Sequence, residues 1–383
     1  MKVVASCQPG PGHLHPMLPV LRAFEAAGHE VLVAASLGFS AHVRRLGLRP
    51  LVAGLDWRLD RLPAAFPELN NFSKLSDRSR FLIERVFAGV CADATSTQLR
   101  RVFAHSRPDL VIHEPSEFGG PIAAEAVGVP VVTHGIGRFA NAFGAAEVTA
   151  RSLAPLRQRF VLPPVARQCH AYLDPCPLSL HDSPPPRWLR VTPIRPEAVP
   201  SGHTASPWAG AVNRPFVYLT MGTTITRQQV LRSALAGLSG LGGTVVVTVG
   251  DHVDVSELGP IPNSVRALNF VPDSSVLPDA DLVVCHGGWG TVTGALLHGL
   301  PIVLMPVGSD QLWNAERCEA VGVGRVLSPS ERSPDSIRSA AASTIAQPAY
   351  RLAAARIKAE IAAMPSAATI VDKLAFELRR FNR

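Results

Sequence analysis

Two histidines near the start of the chain are candidate proton acceptors. His13 and His15 follow the apolar run Val3 to Cys7, in a loop rich in glycine and proline. Histidine gains and loses a proton near neutral pH and can act as a general base. In an open parallel sheet, ligands bind outside the carboxyl ends of the strands. If Val3 to Cys7 is a strand, its loop lies at that edge; alternatively, both histidines are surface residues without a catalytic role.

A carboxylate that could support such a base follows another apolar stretch. Residues Pro108 to His113 are typical of a strand, and Glu114 comes directly after them. A carboxylate can orient an imidazole and stabilise its protonated form. We therefore predict that Glu114 lies beside His13. The alternative is that Glu114 caps a helix that begins near Gly119.

The most informative motif is Cys285-His-Gly-Gly-Trp-Gly-Thr291, which stands between a predicted strand and a predicted helix. Glycines let the backbone approach a ligand closely, and the first N–H groups of a helix form an anion site. His286 and Thr291 add side-chain donors, so the motif predicts a diphosphate site. It lacks the Gly-Lys-Ser/Thr ending of a P-loop, which argues against ATP hydrolysis. The loop at Gly10 and Gly12 likewise lacks the third glycine of a dinucleotide fingerprint.

Acidic and amide residues follow a later apolar strand. Asp310, Gln311 and Asn314 have the donors and acceptors to bind vicinal hydroxyl groups, although they could equally begin a helix as capping residues. Asp279 and Asp281 could hold a metal bound to a diphosphate. They precede the strand that ends at Cys285, so we expect them at its amino end, away from the anion site.

A repeated unit positions these motifs: a helix end rich in alanine, a glycine and then a β-branched strand. Each glycine suits the left-handed conformation just past a helix. The strands are apolar without alternation, which is typical of parallel strands covered by helices on both faces. The pattern therefore predicts an α/β fold. The four copies are Glu25 to Ala35, Glu125 to Gly135, Leu296 to Gly308 and Glu319 to Leu327.

The chain length and the prolines indicate two domains. A chain of 383 residues is long enough for two or three, and two copies of the unit precede residue 140 while two follow residue 290. Eight of the 34 prolines lie between Pro184 and Pro215, a composition typical of a linker. We predict two Rossmann-like doubly wound parallel-sheet domains that face each other across a cleft. Their predicted ranges are 1–205 and 206–365, followed by a helix at 366–383 that could pack back on the first domain.

Composition excludes several other classes of protein. The formal net charge is +7, with 33 Arg and 4 Lys, but the arginines are scattered and there are only three Tyr. Nucleic-acid binding is therefore not expected. The six cysteines form no CxxC pair, which favours free thiols in a reducing cytoplasm. No signal peptide is recognised, and glycines and prolines interrupt the apolar stretch Leu282 to Val307, which argues against a membrane span.

Aromatic residues between positions 55 and 105 stand outside any clear strand-helix unit. They could line an apolar cavity or simply fill the core of the first domain, and the sequence leaves both interpretations open. These residues are Trp57, Phe66, Phe72, Phe81 and Phe87.

The motifs Gly12 to Pro16, His286 to Thr291 and Asp310-Gln311 with Asn314 resemble family 1 glycosyltransferases of the GT-B fold. The likeness is greatest to actinobacterial enzymes that attach deoxysugars to macrolide, polyketide or enediyne natural products. This resemblance implies that His13 is the general base for the acceptor hydroxyl. It also implies that Glu114 is the partner of His13, at a position where the family usually has aspartate.

The resemblance further implies a set of donor-binding residues. His286 and the glycine turn would hold the diphosphate, Asp310 and Gln311 would bind sugar hydroxyls, and Phe270 would stack on the base. The full implied set is Gly12, Thr223, Phe270, Val271, His286, Gly287, Gly288, Gly290, Thr291, Asp310 and Gln311. The implied acceptor-binding residues are Trp57, Phe66, Phe81 and Phe139.

One departure from the family bears on the donor. Plant relatives that use UDP-sugars have a glutamate that binds the ribose hydroxyls, and this position is Gly294 here. The missing acceptor favours a deoxyribose, and hence a TDP-sugar.

We therefore predict an inverting glycosyltransferase that moves a deoxysugar from a TDP-sugar to a hydroxyl of a hydrophobic natural-product aglycone. We expect no cofactor, no metal ion, no nucleic-acid partner and no integral membrane association. A homodimer is compatible with the sequence. The alternatives are a nucleotide-sugar epimerase and a non-catalytic partner of another glycosyltransferase.

Overall fold

The chain folds into two compact α/β units. The computed structural model describes residues 1–56, 62–72, 74–138, 146–164, 169–185, 189–198, 208, 213–222, 228–250, 254–308 and 310–381. Unit 1 contains Met1–Pro196 and Met364–Arg383, and unit 2 contains Glu197–Ala363. The predicted boundary near residue 205 lies outside the described residues.

Unit 1 contains a seven-stranded sheet in which every described pairing is parallel. The strand order is β3-β2-β1-β4-β5-β6-β7. The strands are β1 Lys2–Ser6, β2 Glu30–Ala35, β3 Arg49–Val52, β4 Leu110–His113, β5 Val131–His134, β6 Ala171–Asp174 and β7 Val191–Pro193. The helices are α1 Pro11–Leu14, α2 Leu18–Ala26, α3 Leu37–Arg45, α4 Leu62–Ala65, α5 Leu75–Phe81, α6 Ala92–His105, α7 Gly119–Ala126 and α8 Ala146–Arg159. A π-helical segment, Leu82–Cys91, joins α5 to α6.

Unit 2 repeats this architecture with six parallel strands in the order β10-β9-β8-β11-β12-β13. The strands are β8 Phe216–Thr220, β9 Thr244–Thr248, β10 Val265–Leu268, β11 Leu282–Cys285, β12 Ile302–Leu304 and β13 Gly324–Val326. The helices are α9 Gln228–Ser239, α10 Asp273–Val276, α11 Trp289–His298, α12 Gln311–Ala320, α13 Pro334–Ala346 and α14 Pro348–Ala363. The prediction of two doubly wound parallel sheets is thus confirmed.

The glycines of the repeated unit end helices as predicted. Gly28, Gly128, Gly299 and Gly322 all have positive φ angles, between 68° and 78°. A residue with a Cβ is strained in this conformation, so glycine ends each helix and turns the chain toward the next strand.

The order of the strands determines where a ligand can bind in each unit. In unit 1 the order reverses between β1 and β4, and in unit 2 it reverses between β8 and β11. Loops that leave such neighbouring strands diverge to opposite faces and leave a crevice at the carboxyl ends. The loops after β1 and β4 carry His13 and Glu114, and the loop after β11 carries His286.

The last helix, α15 (Ala367–Phe381), belongs to unit 1. It packs against α2. Glu377 bonds to His170 at 3.0 Å and to Arg190 at 2.5 Å. The backbone N–H of Arg195 donates to the carbonyl of Pro365 at 2.8 Å. The chain therefore returns to unit 1 after completing unit 2.

The sheet of unit 2 lies in an apolar core, which makes its stability testable. Leu219 in β8 is completely buried, whereas Leu352 in α14 is 64% exposed. Leu219→Ala should lower the free energy of unfolding by about 2–5 kcal/mol because it leaves a cavity. Leu352→Ala should change it by less than about 0.5 kcal/mol. Calorimetry of both variants checks this, and equal shifts would contradict the assigned core.

Candidate active site

In unit 1, the loops after β1 and β4 bring His13 and Glu114 into contact. Nδ1 of His13 lies 3.0 Å from Oε1 of Glu114. The His13 side chain is 18% exposed and the Glu114 carboxylate is completely buried. One partner is thus accessible and the other is shielded, as a general base supported by a carboxylate requires.

Local hydrogen bonds hold the Glu114 carboxylate in place. It accepts from the backbone N–H of Gln8 at 3.1 Å, from the N–H of Ser116 at 2.7 Å and from the Ser116 hydroxyl at 2.8 and 2.9 Å. Burial opposes its ionisation. The charge of His13 and the bonds from His13 and Ser116 outweigh that effect and hold the pKa of Glu114 below its ordinary value. Glu114 is therefore ionised at neutral pH.

A different glutamate caps the next helix. Glu117 accepts from the backbone N–H groups of Gly119 and Gly120 at 2.8 and 2.9 Å, and from the hydroxyl of Ser6. Burial raises the pKa of Glu117 to about 7, although these bonds act in the opposite direction. The capping role considered for Glu114 thus belongs to Glu117.

The other histidines at this edge have structural partners. Nε2 of His15 lies 3.1 Å from Nε2 of His42, and burial lowers the pKa of His15 to about 4. His113 is buried and its Nε2 lies 2.9 Å from the Thr133 hydroxyl, with Nδ1 near backbone carbonyls. The structure thus separates His13, which contacts a carboxylate, from His15, which packs against His42.

In unit 2, Gly222 after β8 and Gly288 in the motif after β11 enclose the His286 ring. A Cβ at Gly222 would lie 2.7 Å from Nε2 of His286, and a Cβ at Gly288 would lie 2.4 Å from it. Burial lowers the pKa of His286 to about 4, partly opposed by the charge of Asp310 and by the nearby backbone of Thr220. The ring is therefore uncharged at neutral pH, and it can donate only as a neutral imidazole.

The helix that follows has an open N-terminus. No side chain caps α11, whose N-cap residue is Gly288. A Cβ at Gly290 would meet nothing within 4 Å, so a ligand can approach the first turn. Thr291 lies in the same turn. Uncapped N–H groups at a helix N-terminus favour an anion.

A hydrogen bond joins the segment after β12 to the turn that follows β11. The Asn314 amide donates to the carbonyl of Gly287 at 3.1 Å and to Asp310 at 2.8 Å. Gln311 accepts from the backbone N–H groups of Val307 and Gly308 at 2.9 and 3.0 Å. The Asp310 side chain does not cap α12. The side-chain oxygen of Gln311 thus holds the loop. The side-chain NH2 group of Gln311 and the Asp310 carboxylate are the groups that could bind sugar hydroxyls.

The remaining predicted donor residues lie in three places. Phe270, two residues after the end of β10, is 59% exposed, and Val271 beside it is buried. Gly12 lies in α1 of unit 1. Thr223 lies outside the described residues. As expected, Asp281 lies at the amino ends of the strands. Its carboxylate accepts from the N–H of Phe216, the first residue of β8.

The predicted acceptor-binding aromatics form a small apolar cluster. Phe66 and Phe81 are partly buried against Leu62, Leu69 and Val86, with Phe72 and Phe87 in the same cluster. The ring centroids of Phe66 and Phe81 are 6.5 Å apart. These contacts are the core packing considered above, and a role in acceptor binding stays a prediction. Trp57 and Phe139 lie outside the described residues.

Sequence reasoning missed some residues that support the site. Ser116 was not predicted, although a serine two residues after a carboxylate commonly makes such local bonds. A buried line of hydroxyls also holds Gly222, which lies against His286. The Tyr218 hydroxyl lies 3.2 Å from that of Thr248, which donates to Thr220 at 2.9 Å, and Thr220 accepts from the N–H of Gly222 at 3.3 Å. These hydroxyl residues lie on separate strands and form no sequence motif that would predict their contacts.

The described residues contain neither a candidate metal site nor a candidate membrane span. No group of three or more His, Cys, Asp or Glu side chains could hold a metal ion there. Among those same residues, no helix is both long and apolar enough to cross a membrane.

Comparisons with known proteins agree with this arrangement. Residues 22–183 and 232–377 match the N-terminal and C-terminal domains of the erythromycin biosynthesis protein CIII-like family. The chain is 34% identical to an L-demethylnoviosyl transferase of Streptomyces niveus, over 99% of each chain. It is 32% identical to the elloramycin glycosyltransferase of Streptomyces olivaceus, over 98% of this chain and 97% of the relative.

Solved structures show the same fold. Spinosyn rhamnosyltransferase SpnG has a TM-score of 0.81 and 25% identity, covering 98% of this chain and 99% of that one. The glycosyltransferase VinC in complex with dTDP has a TM-score of 0.77 and 27% identity, covering 99% and 100%.

The two parallel-sheet units and these likenesses define a glycosyltransferase of the GT-B fold. The chain belongs to the erythromycin biosynthesis protein CIII-like family. The resemblance predicted from the motifs is thus confirmed, and the protein is an enzyme of this class.

The glycine cradle around His286 is testable by a matched pair of substitutions. Gly288→Ala places a methyl group in the position of the imidazole and should destabilise unit 2 by about 1–3 kcal/mol. Gly290→Ala meets open space in a helix and should be neutral or stabilise by about 0.4–1 kcal/mol. Thermal unfolding of both variants measures the difference. Equal melting temperatures would show that the cradle is not tightly packed.

Proposed function

We propose that this glycosyltransferase transfers a deoxysugar from a TDP-sugar to a hydroxyl of a hydrophobic natural-product aglycone, with inversion at the anomeric carbon. The observation that carries the proposal is the 3.0 Å contact between His13 and the completely buried Glu114. It gives unit 1 a supported base, while unit 2 supplies the anion site. Neither the epimerase nor the non-catalytic partner is favoured by the names of the relatives.

The dyad gives the base a defined protonation state. When the Nδ1–H of His13 donates a hydrogen bond to Glu114, the lone pair of the neutral ring is on Nε2. That nitrogen can take the proton from an acceptor hydroxyl as the oxygen attacks the anomeric carbon. The ionised carboxylate then stabilises the imidazolium that forms. A single displacement by this route inverts the anomeric carbon.

Unit 2 would stabilise the departing diphosphate. Negative charge grows on the phosphate oxygens as the glycosidic bond breaks, and fixed donors act most strongly at this point. The N-terminus of α11 and the Thr291 hydroxyl would supply such donors. His286 is uncharged, so it would contribute a hydrogen bond and shape to the site. The proposed chemistry needs neither a cofactor nor a metal ion.

Two relatives favour a thymidine donor. One structural neighbour is described in complex with dTDP, and one relative is named a TDP-daunosamine transferase. A natural-product aglycone is supported by the names of the relatives, which include an elloramycin glycosyltransferase and a tylactone mycaminosyltransferase.

His13→Ala should abolish the base and lower kcat by about 10²–10⁴. The matched control is His105→Ala, which removes an exposed histidine of the same unit and should leave kcat unchanged. Steady-state transfer assays and melting temperatures of both variants are required. Near-normal transfer by a folded His13→Ala protein would refute the assigned base.

Donor choice can be measured with one sugar linked to either nucleotide. The TDP-sugar should be turned over with a higher kcat/KM than the UDP-sugar, because Gly294 lacks the carboxylate that binds a ribose in UDP-dependent relatives. Product formation by chromatography gives both values. Equal or better use of the UDP-sugar would contradict the proposal.

A further inference from the structure

One buried side chain lies between two groups that are predicted to bind the donor. Asn314, in the first turn of α12, is completely buried. Its side-chain nitrogen donates to the carbonyl oxygen of Gly287 at 3.1 Å and to Oδ2 of Asp310 at 2.8 Å. Gly287 belongs to the predicted diphosphate motif, and Asp310 is predicted to bind a sugar hydroxyl. A single amide group thus joins the two parts of the predicted donor site.

The partners of the Asn314 amide fix its orientation. Both groups that Nδ2 contacts are hydrogen-bond acceptors, a backbone carbonyl and a carboxylate, so the reversed amide would place Oδ1 against two oxygens. In the observed orientation, Oδ1 is buried and has no hydrogen-bond partner among the described residues. A buried acceptor without a donor lowers stability. The two bonds from Nδ2 are therefore what this side chain contributes.

The direction of the Asp310 carboxylate depends on Asn314. Asp310 is the N-cap residue of α12, but its side chain does not cap that helix. Within the described ranges, Asn314 supplies the one hydrogen bond that the carboxylate accepts. The carboxylate also faces His286, since burial lowers the pKa of that ring and the charge of Asp310 opposes this effect. Like charges repel, so an unrestrained Asp310 side chain would turn away from a bound diphosphate.

The backbone of α12 packs directly on the turn that contains Gly287. Gly287 has a φ of 86°, and a Cβ there would lie 2.9 Å from the carbonyl oxygen of Gln311. The strands that precede the two segments, β11 and β12, are parallel neighbours. The two backbones are thus in close contact, and Asn314 adds the side-chain link that relates the Asp310 carboxylate to this contact.

We propose that Asn314 is a positioning residue for the donor sugar: it fixes the Asp310 carboxylate relative to the diphosphate motif and does not contact the donor. This inference rests on the proposed function. In a nucleotide sugar, the sugar is joined directly to the terminal phosphate. A group that binds sugar hydroxyls must therefore lie at a fixed distance from the groups that bind the diphosphate. The Asn314 amide sets this distance with one bond to each side.

The experiment is a double-mutant cycle of Asn314 and Asp310, measured by calorimetric titration. The ligands are TDP and TDP-rhamnose, a TDP-linked deoxysugar, and the ratio of their dissociation constants is compared between proteins. The proteins are the wild type, Asn314→Ala, Asp310→Ala and the double variant. Asn263→Ala is the matched control, because Asn263 is an exposed asparagine of the same unit.

Asn314→Ala should weaken the binding of TDP-rhamnose about three- to tenfold and that of TDP less than about twofold, because the group that it releases binds the sugar. Asp310→Ala should show the same selective loss. In the double variant the loss should be no greater than in Asp310→Ala alone, because the group that Asn314 positions is absent. Asn263→Ala should leave both dissociation constants unchanged.

Asn314→Asp provides a second test, since it keeps the shape of the side chain and removes the donor. It should weaken TDP-rhamnose at least as much as Asn314→Ala does. If Asn314→Ala does not fold, Asn314→Asp takes its place in the cycle.

The opposite results separate the inference from the proposed function. If the wild-type protein binds TDP, the inference is overturned and the proposed function stands in either of two cases. The first is that the Asn314 variants weaken both ligands equally, or neither, as a purely structural role predicts. The second is that the selective losses of the two single variants multiply in the double variant. If the wild-type protein binds neither ligand, both are overturned.

Discussion

Parallel strands have one constraint on which the site depends: all their carboxyl ends lie at the same edge of the sheet. In unit 1 this brings the ends of β1 and β4 together, although more than 100 residues of sequence separate His13 from Glu114. In unit 2 it brings Gly222, after β8, against His286, after β11. Each crevice forms where the strand order reverses, so its position follows from the order of the strands and not from particular side chains.

At these crevices the two units provide different electrostatic environments. In unit 1 the charge of His13 and the hydrogen bonds from His13 and Ser116 keep the buried Glu114 carboxylate ionised. Three residues later, Glu117 is buried with its pKa raised to about 7. Environment thus assigns different roles to two glutamates that the sequence alone does not distinguish.

The groups that unit 2 offers to an anion are backbone N–H groups and a neutral side chain. His286 is enclosed by glycines and is uncharged, and the helix N-terminus of α11 is uncapped. The arginines that give the chain its positive charge supply none of the hydrogen bonds described for the motif Cys285 to Thr291. Recognition of an anion by N–H groups depends on their direction, which explains why glycine, and not lysine or arginine, dominates this motif.

The sequence by itself determined the α/β class, the two sheets, the helix-ending glycines and the loops that carry His13, Glu114 and His286, because these follow from local patterns and from the direction of parallel strands. Only the tertiary structure decided that Glu117 caps α7, that His15 pairs with His42, that the Gln311 carbonyl holds its own loop and that Asn314 joins Gly287 to Asp310. Each of these depends on which of several polar groups comes within about 3 Å of another. That distance is set by the packing of elements far apart in the chain, and no local pattern encodes it.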